Sequence, residues 1–434
     1  MPRLQSAGMS QTGFFARHQA VRALRHRNFR FLLAGTALVG LVAPAQFITQ
    51  TFWVQSEFPE RDVLYVSLMA GVRGVATLLF SLIGGAIADR FDRRRVLLLC
   101  ESTSFVLNAG VAFLMLTTPF GEATIAAIAA LTFFAAGNQA VDIPARTASV
   151  PAIVGMEDLS NAISLNQIAN QVAIPVTIPL ASLLNSFFDP GQVYAGTLVA
   201  WAGIIPLIAV LDYRSRGGAS RGNMLANIRD GLQYTATHRT LFAVFSLVFV
   251  IQVIGMTGPG NLGVLWVTKV LDASPRGFAG MAVCWGGGAV LGSMFFAQRH
   301  DLASRGTTLC GTALLFGVCA AVFAHSRWLP LTGLANLGIG VAIAGNAVAA
   351  SSLVQHAVSN DMRGRVMGLF PLMNGLTMVA TAPVGALAQG VGLGVVMPVI
   401  CWSALAGALA IIATMPVLRT RGVVGAQRAT IAEP

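Results

Sequence analysis

The sequence predicts an all-α membrane protein: twelve transmembrane helices in two pseudo-symmetric six-helix bundles. Three observations point there. Hydrophobic residues make up 55% of the 434 and charged residues only 10%, where an ordinary soluble domain carries about 25% charged residues. Mean hydropathy is +0.71; a soluble core needs apolar residues on one face, whereas runs apolar almost all round need lipid as their solvent. Twelve segments reach the ~20 apolar residues that a helix needs to cross a bilayer. The two halves of the chain also echo each other at a near-constant offset.

The expected spans are 31–53, 64–88, 96–118, 123–145, 160–187, 192–211, 241–267, 278–298, 306–325, 328–356, 366–390 and 393–417. A basic segment, 1–30, precedes the first. That first apolar run is long and lacks a small-residue cleavage site, so it reads as a retained span. Residues 31–211 then make one bundle, 212–240 a connector, 241–417 a second bundle and 418–434 a tail. Arginine sets the topology. Of 28 Lys and Arg, 23 fall in the N-terminus, the even-to-odd connectors and the tail, four fall on the other side, and Arg73 lies within a span. This asymmetry predicts that both termini are cytoplasmic.

The central connector holds Arg214, Arg216, Arg221, Arg229 and Arg239. Met224, Ile228 and Leu232 recur in it every four residues, the pattern of an amphipathic helix on the membrane surface. Ala16 to Phe31 reads the same way, with Arg17, Arg22, Arg25, Arg27 and Arg30 at headgroup level. Either side of the connector, HRNF (26–29) pairs with HRTL (238–241), and FAAGNQAV (134–141) with AIAGNAVA (342–349). The offsets are 212 and 208 residues. Two six-span repeats are a transporter architecture with the substrate near the midplane between them.

Composition and motifs exclude other classes. The net charge of +11 sits in short connectors, where topology explains it better than a nucleic-acid partner. Cys100, Cys284, Cys310, Cys319 and Cys401 lie in or beside apolar runs without a CxxC pair, and read as inert buried thiols. No metal set, nucleophile elbow, P-loop or dinucleotide fingerprint stands in a credible context, so neither a catalytic residue nor a cofactor is expected.

One stretch interrupts the apolar pattern: SLIGGAIADRFDRRRVLLL, Ser81 to Leu99. Six of the seven residues from Asp89 to Arg95 are charged. A positive-inside anchor explains the arginines. It does not explain Asp89, an anion at a helix C-terminus, or Gly85 four residues before it, a small residue that lets another helix approach. Gly85-Ala86-Ile87-Ala88-Asp89-Arg90-Phe91-Asp92-Arg93-Arg94 resembles the loop signature of the major facilitator superfamily, G-x-x-x-D-[RK]-x-G-[RK]-[RK], with Asp92 in place of the usual glycine. The resemblance covers all twelve spans. It implies a gating latch made of Gly85, Asp89, Arg90, Arg93 and Arg94.

RHRNFRFLLAG, DIPARTASVPAIVGMEDLSNAISLNQ and DMRGRVMGLF are similar to a narrower exporter subgroup, that of enterobactin exporters and related macrolide and multidrug efflux proteins. The subgroup implies a bacterial inner membrane, a small-molecule substrate, protons as the coupling ion and a monomer in the lipid bilayer. It also implies that the acid of Asp142-Ile143-Pro144-Ala145-Arg146 pairs with the latch, so Asp142 to Arg93 is the expected salt bridge and Arg146 belongs to the same gate. The second half carries Ala297 and Gln298 where the first has Asp89 and Arg90.

An ionisable side chain at midspan costs roughly 2.5–3.5 kcal/mol and needs a reason. Arg73, between Gly71 and Gly74, reads either as an anion-attracting cavity residue or as a snorkelling side chain bonded to nearby carbonyls. Glu101 reads as snorkelling or paired with a loop arginine, and Asp142 as a latch partner or a proton carrier. Amides gather on the inner spans: Gln46 and Gln50, Asn138 and Gln139, Asn166, Gln167, Asn170 and Gln171, Gln252 and Asn261, Asn346, and Asn374. Each alone is worth about 0.6 kcal/mol as helix glue; together they predict a wet, amide-lined cavity, with Phe47, Phe52, Phe133, Phe134, Trp285 and Phe370 as candidate apolar walls. GMTGPGN, Gly255 to Asn261, predicts a broken seventh span. Ile174 stands before Pro175 where antiporters of the family usually have glycine. The expected function is export of an amphipathic small organic molecule by alternating access, with an importer of the same fold or a non-transporting sensor as alternatives.

Overall fold

The computed structural model describes residues 21–119, 121–213, 224–297 and 305–418. Among these the chain is helical, without strands. Helices α1 (Arg27–Glu57), α2 (Asp62–Arg90) and α3 (Arg93–Thr117) lead into one hydrogen-bonded run, Ala123–Leu184, about three times the length a membrane needs. Gly155 divides that run with φ 71° and ψ 177°, a conformation open almost only to glycine. The two parts are α4 (123–154) and α5 (156–184). Then come α6 (Pro190–Ala209), the surface helix α7 (Met224–Thr237), α8 (Arg239–Val270), α9 (Pro275–Ala297), α10 (Arg305–His325), α11 (Leu329–Ala357), the short α12 (Asn360–Met367), α13 (Leu369–Val391) and α14 (Leu393–Thr414). Eleven described helices are long and apolar enough to span a bilayer, and the division at Gly155 makes twelve.

The seventh span does not break as expected. It winds wide instead: Met256 N donates to Ile251 O, Asn261 N to Met256 O and Leu271 N to Trp266 O, each five residues back. Pro259 has no N–H to give and its ring crowds the preceding turn. A π-helical course relieves both demands without leaving the helix.

Within the first half, α1 packs on the Ala123–Leu184 run and on α6, and α3 packs on α6. Within the second, α11 packs on α9 and α10, and α10 on α14. Two seams join the halves. Gly71, Gly74 and Leu78 of α2 meet Ala382, Val379 and Gly375 of α13, and Gly286 of α9 meets Pro175 of α5. A Cβ on Gly74 would lie 2.6 Å from the Val379 nitrogen, so glycine is what permits this approach. Lipid tails compete with apolar side chains as solvent, and helices in a membrane therefore associate through such close small-residue packing.

Candidate functional site

Three of the buried charged side chains of the first half meet in one cluster. Arg146 of α4 donates from Nε to Asp142 Oδ2 at 2.9 Å, one turn back on the same helix, and from Nη2 to Glu101 Oε1 of α3. Glu101 is 1% exposed, and Asp142 and Arg146 are 5% exposed. Two carboxylates thus share one guanidinium, with Glu101 Oε2 and Arg146 Nη1 buried and unbonded. Gly35 of α1 leaves the room that Arg146 Nη1 occupies.

This arrangement corrects one expectation and meets another. Asp142 pairs with Arg146, not with Arg93, because residues four apart on a helix already face each other; Arg93 donates instead to Ala148 O at 2.7 Å. Glu101 pairs with an arginine that the expected span limits leave in the connector after residue 145, and that pair is buried between α3 and α4.

In the loop expected to be the latch, Arg93 and Arg94 bond to carbonyls of their own half. Arg94 donates to Ala209 O at 2.5 Å, at the C-terminal end of α6, where a helix favours cations. Asp92 accepts the Arg95 N–H at 3.1 Å as the N-cap of α3, so the departure from the signature glycine supplies a cap. Gly85 is half-buried and Arg90 exposed. Gly84, the neighbour of Gly85, closely faces Ala140 and Val141 of α4. The Asp89 side chain lies outside the described residues.

Over Arg22–His26 the basic N-terminal segment is bonded to the start of α5. Arg22 and Arg25 reach the Asp158 carboxylate at 2.9 and 2.8 Å, His26 Nε2 lies 2.8 Å from it, and the Ala23 N–H donates to Asn161. A carboxylate at the start of α5 collects these cations because it is enclosed and needs counter-charge. The His26 hydrogen bond, then the charges of Arg22 and Arg25, hold the Asp158 carboxyl below its usual range against the opposing effect of burial. Arg17 lies outside the described residues. The expected connector helix is present as α7, docked on α12 by Arg365 to Asp230 at 2.6 Å, with Leu232 exposed.

The amide candidates divide into separate groups. Arg73 donates to Gln50 Oε1 at 2.5 Å and lies 5.5 Å from the centre of the Phe47 ring. Gln50 donates on to the Thr132 and Tyr194 hydroxyls, Tyr194 donates to Asn108, and Gln46 donates to Thr197. Gln46, Arg73, Asn108, Thr132, Gln139 and Tyr194 supply the polar lining of a cavity of about 30 Å³, room for about one water. No carboxylate among the described residues pairs with Arg73. In the second half Gln252 donates to Asn374 and Asn261 to Thr381. Asn346 is buried with Nδ2 unbonded, and Asn166 is half-buried on α5. Asn138 faces α3, donating to Cys100 O and Ser104 Oγ, and so ties two helices instead of lining the space between the halves. The Asn170 and Gln171 side chains lie outside the described residues. Among the described residues no cluster of His, Cys, Asp and Glu is suited to a metal.

A further feature escaped the sequence reading. On the face opposite the arginines, the halves are bonded together. Lys269 Nζ meets Asp62 Oδ1 at 2.5 Å, Gln55 donates to Thr268 at 2.5 Å, and Gln389 both accepts from Leu64 N and donates to Glu60 O. Arg276 bonds Ser186 and lies over the Phe187 ring. Asp62 is 1% exposed. Among the described residues, ion pairs at the arginine-rich face include Arg22 to Asp158 within the first half and Arg365 to Asp230 between the second half and the connector. The two halves are therefore closed on the side away from the latch.

Comparison with known proteins fits this geometry. A profile described as transmembrane secretion effector matches residues 19–428. The chain belongs to that family. It is 25% identical over 425 residues to the enterobactin exporter EntS of Escherichia coli O81, covering 92% of each chain. It is also 25% identical to EntS of Shigella boydii serotype 18, over 201 residues that span 44% of that protein's length. Among solved structures it is similar to a mutant form of the nucleoside transporter NupG, with a TM-score of 0.72, 15% identity and coverage of 89% of this chain and 99% of that one. The D-xylose-proton symporter gives a TM-score of 0.66 at 13% identity, with coverage of 89% and 96%. The fold is that of the major facilitator transporters.

Proposed function

We propose that this protein exports an anionic, amphipathic small molecule of siderophore-like or drug-like character, driven by the proton gradient across a bacterial inner membrane. The observation that carries the reading is Arg73: a cation with no acidic partner among the described residues, aimed by Gln50 into a polar cavity within the first half. An arginine so placed favours an anion, and a charge-assisted hydrogen bond to one is worth about 1.5–3 kcal/mol. Full-length similarity to a protein named as an enterobactin exporter supports both the direction and a siderophore-like substrate.

Residues 31–211 and 241–417 are the two bodies that rock, joined by 212–240, with both termini cytoplasmic and the working unit a monomer. On that orientation the chain is closed toward the outside and the latch lies on the cytoplasmic side. Glu101 and Asp142 around one arginine are the candidate proton carriers, since the cluster has one carboxylate more than its guanidinium can balance.

The test is flux into inverted membrane vesicles under an imposed proton gradient, with a catecholate siderophore, a macrolide and a cationic dye. Gradient-dependent accumulation of the catecholate is expected, reduced about tenfold or more in Arg73→Ala and abolished in Asp89→Asn at normal abundance. Equal losses for the anionic and cationic probes in Arg73→Ala would make that residue structural, and unchanged transport in Asp89→Asn would remove the latch. Uptake only in right-side-out vesicles would establish an importer.

A further inference from the structure

A lateral groove of about 740 Å³ runs between α2, α3 and α4 on the outside of the first half. Its walls are apolar and lipid-facing: Ile83, Leu99 and Phe134 are each more than half exposed. Its mouth is charged, at Asp92 and Arg95. Leu107 marks the far end, twelve residues from Arg95, or about 18 Å along a helix. That depth is close to one leaflet of a ~30 Å hydrocarbon core. The Asp92 carboxylate is engaged as the α3 N-cap. The Arg95 side chain is exposed, and among the described residues no carboxylate pairs with it.

We infer that this groove binds a phospholipid with an anionic headgroup, its phosphate on Arg95 and one acyl chain along Ile83, Leu99 and Phe134. Depth, apolar walls and a free cation at headgroup level together fit that chemistry, because basic positions at a membrane surface attract anionic lipid. Arg90, exposed beside the mouth, adds to the same field. The site is separate from the polar cavity around Arg73: Cys100 and Asn138 form its floor, and Asn138 is bonded to α3.

Native mass spectrometry of the purified full chain, mixed with phosphatidylglycerol or phosphatidylethanolamine, tests this without any transport assay. The wild type is expected to retain one phosphatidylglycerol in preference to phosphatidylethanolamine. Arg95→Ala should weaken retention about fivefold, the loss expected for one surface arginine. Leu99→Trp, which fills an exposed groove position, should weaken retention of both lipids. Equal retention of the two lipids by the wild type, or undiminished phosphatidylglycerol in both variants, would overturn the proposal. Displacement of the lipid by enterobactin, with retention of enterobactin in its place, would reassign the groove to substrate and overturn it too.

Discussion

The two halves repeat one backbone plan and differ in what they bury. Asp62, Glu101, Asp142, Arg146 and Asp158 are the buried charged residues of the described chain, and all five precede the connector. Buried polar residues of the second half are neutral, among them Thr257, Thr312, Thr332, Asn346, Thr377 and Thr381. Threonines such as Thr312 bond back to their own helix, so they make few demands on their neighbours. A repeat can thus keep its helices and glycine seams while concentrating the charge chemistry in one copy. The largest test of this contrast is Arg146→Ala, which strands two carboxylates and should cost about 3–5 kcal/mol. Thr312→Val, on the other side of the repeat, should cost less than about 1.5 kcal/mol. Thermal unfolding of the purified proteins reads both. A triad replaced whole, Glu101→Gln with Asp142→Asn and Arg146→Met, should recover much of the loss, since a neutral set leaves no buried charge. Equal losses in the two single variants would break the contrast.

The second comparison is between faces. Among the described residues the arginine-rich side carries bonds within a half, such as Arg94 to Ala209, and the opposite side carries bonds across the halves, such as Lys269 to Asp62. Lys269→Met removes the cation from a buried carboxylate only while the halves stay closed there, because opening lets water reach Asp62. The expected shift toward opening is roughly 1–3 kcal/mol, below that for a fully buried pair because the Lys269 side chain is 39% exposed. Reaction of Gln55→Cys with a membrane-impermeant maleimide should accelerate about fivefold or more in Lys269→Met. An unchanged rate would assign the closure to the glycine seam of α2 and α13.

Much of this was legible in the chain. Hydropathy and arginine placement sufficed for the number and order of spans, since burial in lipid leaves little choice of structure. The site was less legible for identifiable reasons. Glu101 and Arg146 are 45 residues apart, and only the packing of α3 on α4 brings them together. Asp62 and Lys269 are 207 apart and sit at span ends, where a single charge looks like ordinary solvation. The π-helical course of α8 was foreseen as a break because Pro and Gly mark a disturbance of the ladder without saying how it is resolved. Asn138 shared its span and its polarity with Gln139, but the two residues are successive on a helix and face different ways.

The smallest expected effect concerns the clasp at the start of α5. Asp158 has a folded-state carboxyl below its ordinary value of 3.8. A lowered acid contributes stability above its unfolded value and loses it as pH falls through the folded one. Wild type should therefore melt above Asp158→Asn at neutral pH. As pH falls below about 4 the two melting curves should converge, because protonated Asp158 no longer holds Arg22 and Arg25. A difference that persisted undiminished far below that pH would mean that the carboxylate charge does not hold the clasp, and the asymmetry between the halves would then owe nothing to Asp158.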